Sequence, residues 1–191
     1  MKTDIKLSGV GGQGILSIAT VIGQAATSAG LHLKQAEVHG MSQRGGDVQS
    51  DLRLSDQAIC SDQIALGTAD LIVSMEPMEA LRYLPWLGPD GVVVTSSRPF
   101  VNIPDYPGEE ALLAELDSLP RVARLDIEQK ARDLGAPRSA NMVLLGMAAR
   151  HMTILTPEQL RAAIRAVFSA KGRKVVEDNI KAFDAGYESI Q

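Results

Sequence analysis

The chain has 191 residues, 45% of them hydrophobic and 4% aromatic, with one cysteine and 19 basic against 23 acidic side chains for a formal net charge of −4. The length suits one domain with a substantial core, expected over 1–191 because no composition break divides it. A single thiol, Cys60, excludes an intrachain disulfide, a four-cysteine zinc site and an iron–sulfur cluster on this chain, each of which needs several sulfurs.

An acidic balance without a Lys/Arg-rich stripe gives little electrostatic reason to bind phosphate polymers, so nucleic acid is not expected as a partner. The first residues lack the apolar core and cleavage site of an export signal, and the longest charge-free apolar stretch, 139–149, is far shorter than the roughly 20 residues that span a bilayer. The expectation is a cytoplasmic chain with no membrane contact and a buried helix over that stretch.

Residues 5–8 read as a first strand. After a glycine turn, Ile15, Ile18, Ala19, Ile22, Ala25 and Ala26 recur at helical spacing, and Gly30 ends that helix. A second strand is expected over 31–38. Val48, Ser50, Leu52 and Leu54 then alternate with Gln49, Asp51 and Arg53, the pattern of a half-exposed strand, and 58–60 would add a short edge partner. Residues 71–75 and 92–95 are short apolar runs bounded by turn signals, as in strands buried on both faces, with a crossover helix between them over 77–87. Pro99, Pro104 and Pro107 mark 97–107 as a loop. A further strand falls over 122–127, with a helix running on to Leu134. Thr156, Pro157 and Gln159 form a capping-box start to one closing helix, and another runs over 173–187. Strands alternating with helices predict an α/β fold of three layers, with a Rossmann-like, mostly parallel sheet and helices on both faces.

Between the first strand and the first helix lies Gly9-Val10-Gly11-Gly12-Gln13-Gly14, a G-x-G-x-x-G pattern. Glycines let the backbone turn tightly and approach a ligand, while free N–H groups and the helix dipole favour an anion at the helix start. The dinucleotide-binding version also needs an acid some 20 residues on, at the end of the second strand, and Glu37 falls there. An NAD(P)-dependent dehydrogenase and a tight turn that binds nothing both remain open on this pattern. A P-loop does not, because Ile15 and Leu16 follow Gly14 where lysine and a hydroxyl are required.

After the second strand comes Glu37-Val38-His39-Gly40-Met41-Ser42-Gln43-Arg44-Gly45-Gly46, too polar for core and without helical repeat. In an open α/β sheet this loop and the glycine turn would be neighbours at the carboxyl ends of the strands, where ligands collect. Arg44 suits a phosphate or carboxylate, or an ion pair across a subunit interface.

Three segments, Val10-Gly11-Gly12-Gln13-Gly14, then 36–46 with its His39-Gly40-Met41-Ser42-Gln43-Arg44-Gly45-Gly46 core, then 136–146 with Pro137-Arg138-Ser139-Ala140-Asn141-Met142, together resemble the gamma-type subunit of 2-oxoacid:ferredoxin oxidoreductases. The 39–46 version is most similar to the beta subunit of the indolepyruvate-specific members. The resemblance covers essentially the whole chain, and the second motif is far more specific than the glycine turn. It implies CoA-dependent oxidative decarboxylation of a 2-oxoacid, an arylpyruvate such as indolepyruvate, with ferredoxin as electron acceptor. Thiamine diphosphate with Mg and the 4Fe-4S clusters would sit on a larger partner subunit, since this chain has one cysteine and no Gly-Asp-Gly run for thiamine. Such a chain would be inactive alone. An independent NAD(P)-binding dehydrogenase and a non-catalytic scaffold are the alternatives.

The ligand-binding candidates under this resemblance are Gly11, Gly12, Gln13, Gly14, Ser42, Gln43, Arg44, Gly45 and Asn141. His39 is the candidate for proton transfer, because imidazole titrates near neutral pH, although a loop histidine equally fixes a turn or meets a partner. Asn141 opens an apolar helix, where capping is the plain explanation. Glu76 follows a strand and faces either the crevice or its own helix start. His32 and His151 read as structural and make no metal-ligand spacing, so no metal is expected here. Cys60 has no cationic neighbour to activate it, and Met142, Met147 and Met152 read as core.

Overall fold

The computed structural model describes residues 1–39 and 45–190. Strands β1 (Lys2–Val10), β2 (His32–His39), β3 (Asp47–Ser55), β4 (Ala69–Ser74), β5 (Leu87–Ser96) and β6 (Val122–Leu125) form one sheet in the order β2-β3-β1-β4-β5-β6. Strands β1, β4, β5 and β6 are parallel neighbours, whereas β3 is antiparallel to both β1 and β2. The sheet is therefore mixed, with β3 alone reversed among the described strands.

Seven helices are described: α1 (Ile15–Ser28), α2 (Pro77–Arg82), α3 (Glu109–Asp117), α4 (Ile127–Asp133), α5 (Ala140–Ala149), α6 (Pro157–Phe168) and α7 (Arg173–Glu188). Helices α1, α4, α5, α6 and α7 bury one face of the sheet through Ile5, Leu7, Leu52, Leu71 and Val73. The other face carries α2 and α3 around Ile72, Tyr83, Val93 and Leu116, which completes the three layers. Every residue of α5 is buried, which explains a helix without an amphipathic period. The expected boundaries of α1 hold to one residue, with Gly30 at φ +71° beyond its end, and the capping box of Thr156 and Gln159 is formed.

Four expectations change. Strand β3 is not half-exposed, because Asp51 is buried and its Oδ1 pairs with Lys6 Nζ at 2.7 Å. Residues 58–60 form no strand. Their segment lies over the polar face of β1 and β3, where Arg53 donates to the Ser61 and Gln63 carbonyls and Asp51 Oδ2 accepts from the Ile64 N–H, so side chains take the groups a ladder would have used. The 77–87 helix stops at Arg82 and a 3-10 turn over Leu84–Trp86 leads into β5, since Pro85 supplies no N–H to an α-helical ladder. Helix α3 was not anticipated, although Glu109 and Glu110 in its first turn and Leu112 and Leu116 on one face are ordinary helix signals.

The buried polar face of β1 is knit by ion pairs. Arg53 makes two bonds to Asp4, at 2.9 and 3.0 Å. Burial works to raise the Asp4 pKa, but hydrogen bonds from Arg53 and Lys2 outweigh it and hold the carboxyl below its ordinary value.

Candidate functional site at the carboxyl edge

Strands β1, β4 and β5 point their carboxyl ends to one edge, and the glycine turn leaves β1 there. Gly12 and Gly14 adopt φ of +101° and +87°, which L side chains rarely reach, so the sequence folds as a tight strand-to-helix turn. Gly14 caps α1 in the left-handed region without a side-chain bond, and the first turn of α1 has no acidic residue. The positive end of the α1 dipole thus has no carboxylate from its own first turn, which suits its N–H groups to an anion.

Two predicted ligand residues brace the turn through backbone groups. The Gln13 side chain accepts from the Val10 N–H at 2.7 Å and donates to the Met75 carbonyl at 3.5 Å, bracing the turn against the end of β4. Asn141 does not cap α5: it sits one residue inside the helix and its Nδ2 donates to the Gly14 carbonyl at 3.1 Å, docking α5 beneath the turn. A Cβ on Gly14 would lie 2.9 Å from that same nitrogen.

The two sequence motifs meet through backbone. Gly11 N–H donates to the Gly46 carbonyl at 2.8 Å and Gly45 N–H returns to the Gly11 carbonyl at 3.4 Å. Gly45 therefore lies beside the turn, as expected. Ser42, Gln43 and Arg44 lie outside the described residues, as does the His39 side chain, although the His39 backbone ends β2 opposite Val48.

Glu37 does not reach the turn in the manner of a dinucleotide-binding acid. It is paired in register with Ser50, which in turn pairs with Leu7, so reversed β3 stands between Glu37 and β1 and holds their backbones about 10 Å apart. In a Rossmann unit those two strands are neighbours. Glu37 Oε2 accepts from Gln35 Nε2 at 2.9 Å.

Glu76, together with residues that carry no sequence signal, closes the edge from the other side. Glu76 is fully buried at the end of β4, and its carboxyl group receives three donors: the Glu79 N–H at 2.9 Å, the Phe100 N–H at 3.2 Å and the Tyr106 hydroxyl. It caps the α2 start and fastens the 97–107 segment at once. Burial and the bond to Glu76 push the Tyr106 phenol well above its ordinary pKa. Nearby, Tyr83 donates to Asp47 at 2.7 Å and is raised for the same two reasons. Burial pushes Glu79 up against the lowering pull of Arg82, 2.8 Å away. Asn102 Nδ2 donates to the Gly45 carbonyl at 2.9 Å, which carries the 97–107 loop back across the edge to the glycine motifs. No local pattern marks Asp47, Asn102 or Tyr106, whose partners are all distant in sequence. Among the described residues no group of three His, Cys, Asp or Glu side chains is placed to hold a metal ion, and Cys60 is exposed. Nor is any described helix long and apolar enough to cross a membrane.

This combination of a mixed three-layer sheet and two glycine motifs joined at its carboxyl edge has relatives. Residues 4–189 match the model of the pyruvate ferredoxin/flavodoxin oxidoreductase family, and the chain belongs to that family. It is 35% identical over 98% of its length to the indolepyruvate oxidoreductase subunit IorB of Pyrococcus horikoshii, 96% of which is covered. It is also 29% identical, over 96% of its length, to the ketoisovalerate oxidoreductase subunit VorA of Methanothermobacter thermautotrophicus, but covers 35% of that longer chain. The crystal structure of the gamma subunit of a keto/oxoacid ferredoxin oxidoreductase from Geobacter sulfurreducens superimposes with a TM-score of 0.72 at 26% identity, over 97% of this chain and 96% of that one.

Proposed function

We propose that this chain is the accessory subunit of a cytoplasmic 2-oxoacid:ferredoxin oxidoreductase that converts an arylpyruvate such as indolepyruvate, with coenzyme A and oxidised ferredoxin, into the aryl-acyl-CoA, carbon dioxide and reduced ferredoxin. The observation that carries this reading is the joining of the two glycine motifs, Gly11 to Gly46 and Gly45 to Gly11, beside the start of α1, where Gly14 makes no side-chain cap, in a chain matched over nearly its whole length to 2-oxoacid oxidoreductase subunits.

The division of labour follows from the residues. One cysteine supplies too few sulfurs for a cluster and the chain has no Gly-Asp-Gly run for thiamine, so in this reading the 4Fe-4S clusters, thiamine diphosphate and Mg that the family resemblance implies sit on a larger partner subunit, through which ferredoxin is reached. On this chain, Gly11, Gly12, Gly14 and Gly45 shape an anion cradle, and the residue types of Ser42, Gln43 and Arg44, next to Gly45 in sequence, suit a phosphate of coenzyme A or the substrate carboxylate. Gln13 and Asn141 hold that cradle from behind. His39, at the end of β2, is the group available for proton transfer.

Purification of the chain from its native cell under low salt tests the reading. The expected result is a stoichiometric complex with a larger subunit that carries iron and thiamine diphosphate. A chain that purifies free of both, and that instead saturates with NAD or NADH at micromolar concentration, would establish the dehydrogenase.

A further inference from the structure

We infer that residues 97–107 form an apolar tongue, latched in place by Glu76, through which this subunit docks into the larger subunit of its enzyme. The inference rests on the functional reading above, which supplies the partner.

The tongue starts at the end of β5 and crosses the carboxyl edge past β4 and β1 to the entry of β3, a span of about 14 Å at ordinary strand spacing. Backbone and polar side chains fasten it from below: Phe100 N–H and the Tyr106 hydroxyl both reach Glu76 Oε1, and Asn102 reaches the Gly45 carbonyl at 2.9 Å. Its apolar side chains point the other way. Phe100, Val101 and Ile103 are 46%, 72% and 42% exposed, and they make up half of the large apolar side chains left exposed among the described residues.

Beyond capping α2, the Glu76 carboxyl group holds three hydrophobic side chains in water, which buries no apolar surface within this chain. It does lower the entropic cost of association, because the contact surface is already ordered before the partner arrives. The occupant follows from charge. Along the described residues 97–110, Asp105, Glu109 and Glu110 are exposed with Arg98 as the one cation of that segment, so a second copy packed about a two-fold axis would set acidic flanks against each other. An apolar cleft with a basic rim on the larger subunit avoids that repulsion.

Remixing tests the inference with the larger subunit stripped from the native complex and purified variants of this chain. The triple change Phe100→Ser, Val101→Ser and Ile103→Ser should leave the thermal melt unchanged and weaken assembly at least about thirtyfold. Tyr106→Phe keeps the apolar surface and loosens only the latch, so assembly should weaken about three- to tenfold. Equal binding by wild type and the triple variant overturns the inference and leaves the functional reading standing. A wild-type chain that sediments as a homodimer, and becomes monomeric in the triple variant, also overturns it by assigning the tongue to a second copy. Failure of the wild-type chain to bind any larger subunit overturns both.

Discussion

Gly146→Ala is expected to destabilise the fold by about 3 kcal/mol or more, because the added methyl has nowhere to go. A Cβ at Gly146 in α5 would stand 2.0 Å from the Phe183 carbonyl oxygen and 2.7 Å from the Tyr187 nitrogen of α7. The contact is reciprocal, since a Cβ at Gly186 would lie 2.0 Å from the Val143 carbonyl oxygen. These are backbone atoms, so no rotamer change relieves the clash and the two helices must part. Helix α5 is buried on all sides between α7 and the sheet, and its displacement would open the main core. Asn141 and the glycine turn would be drawn along, coupling this packing defect to the site. Gly108→Ala is the matched control, with open space around its Cβ and an ordinary backbone angle. Denaturant midpoints should fall steeply for Gly146→Ala and stay within error for Gly108→Ala. A wild-type midpoint for Gly146→Ala would contradict the packing described.

The second large effect is expected at Asp51. Lys6 Nζ is buried on the sheet, 2.7 Å from Asp51 Oδ1 and 4.8 and 4.7 Å from the ring centres of Tyr83 and Trp86. The aromatic faces attract the ammonium but do not replace an anion at low dielectric. Asp51→Ala removes that anion and also strips the acceptor from the Ile64 N–H, 2.9 Å away. Its cost should be about 3–5 kcal/mol, as for other buried pairs broken on one side. Replacing both partners, as Lys6→Met with Asp51→Leu, should recover most of that loss, because no buried charge is then left alone. A double-mutant cycle by chemical denaturation measures the coupling; additive single effects would show that the pair is not energetically joined.

Much of the architecture is legible locally. The 3.6-residue apolar repeat of α1, the Thr156–Gln159 capping box and the apolar runs of β4 and β5 each carry their own structure, and the structure agrees with them to within a few residues. What failed was non-local. Nothing between Glu37 and Asp47 announces that β3 inserts between β2 and β1, yet that insertion removes the acid from the glycine turn and distinguishes this sheet from a dinucleotide-binding one. The alternation of β3 was read correctly as a strand and wrongly as half-exposed, because a neighbouring segment pinned by Arg53 and Asp51 covers its polar side.

The site divides in the same way. Glycines at 11, 12, 14 and 45 were recognisable because positive φ or close backbone approach selects that residue, and two of them do adopt positive φ in the turn while Gly45 does so at the second motif. Gln13 and Asn141 stand out in the sequence as ligand-binding candidates, whereas the bonds they make in the fold go to Val10, Met75 and Gly14, contacts that only the folded chain creates. Of the two readings open for Glu76, the helix start is what the fold forms, since its carboxyl group caps α2, and the same group also accepts from Phe100 and Tyr106 in the 97–107 segment. Tyr106 was invisible among prolines.

Turnover assayed with and without the larger subunit tests the central claim most directly. The purified chain is given indolepyruvate, coenzyme A and a dye acceptor. The account predicts no dye reduction by the chain alone and full turnover once the iron- and thiamine-bearing subunit is added back. Dye reduction by this chain in the absence of any other subunit would contradict it.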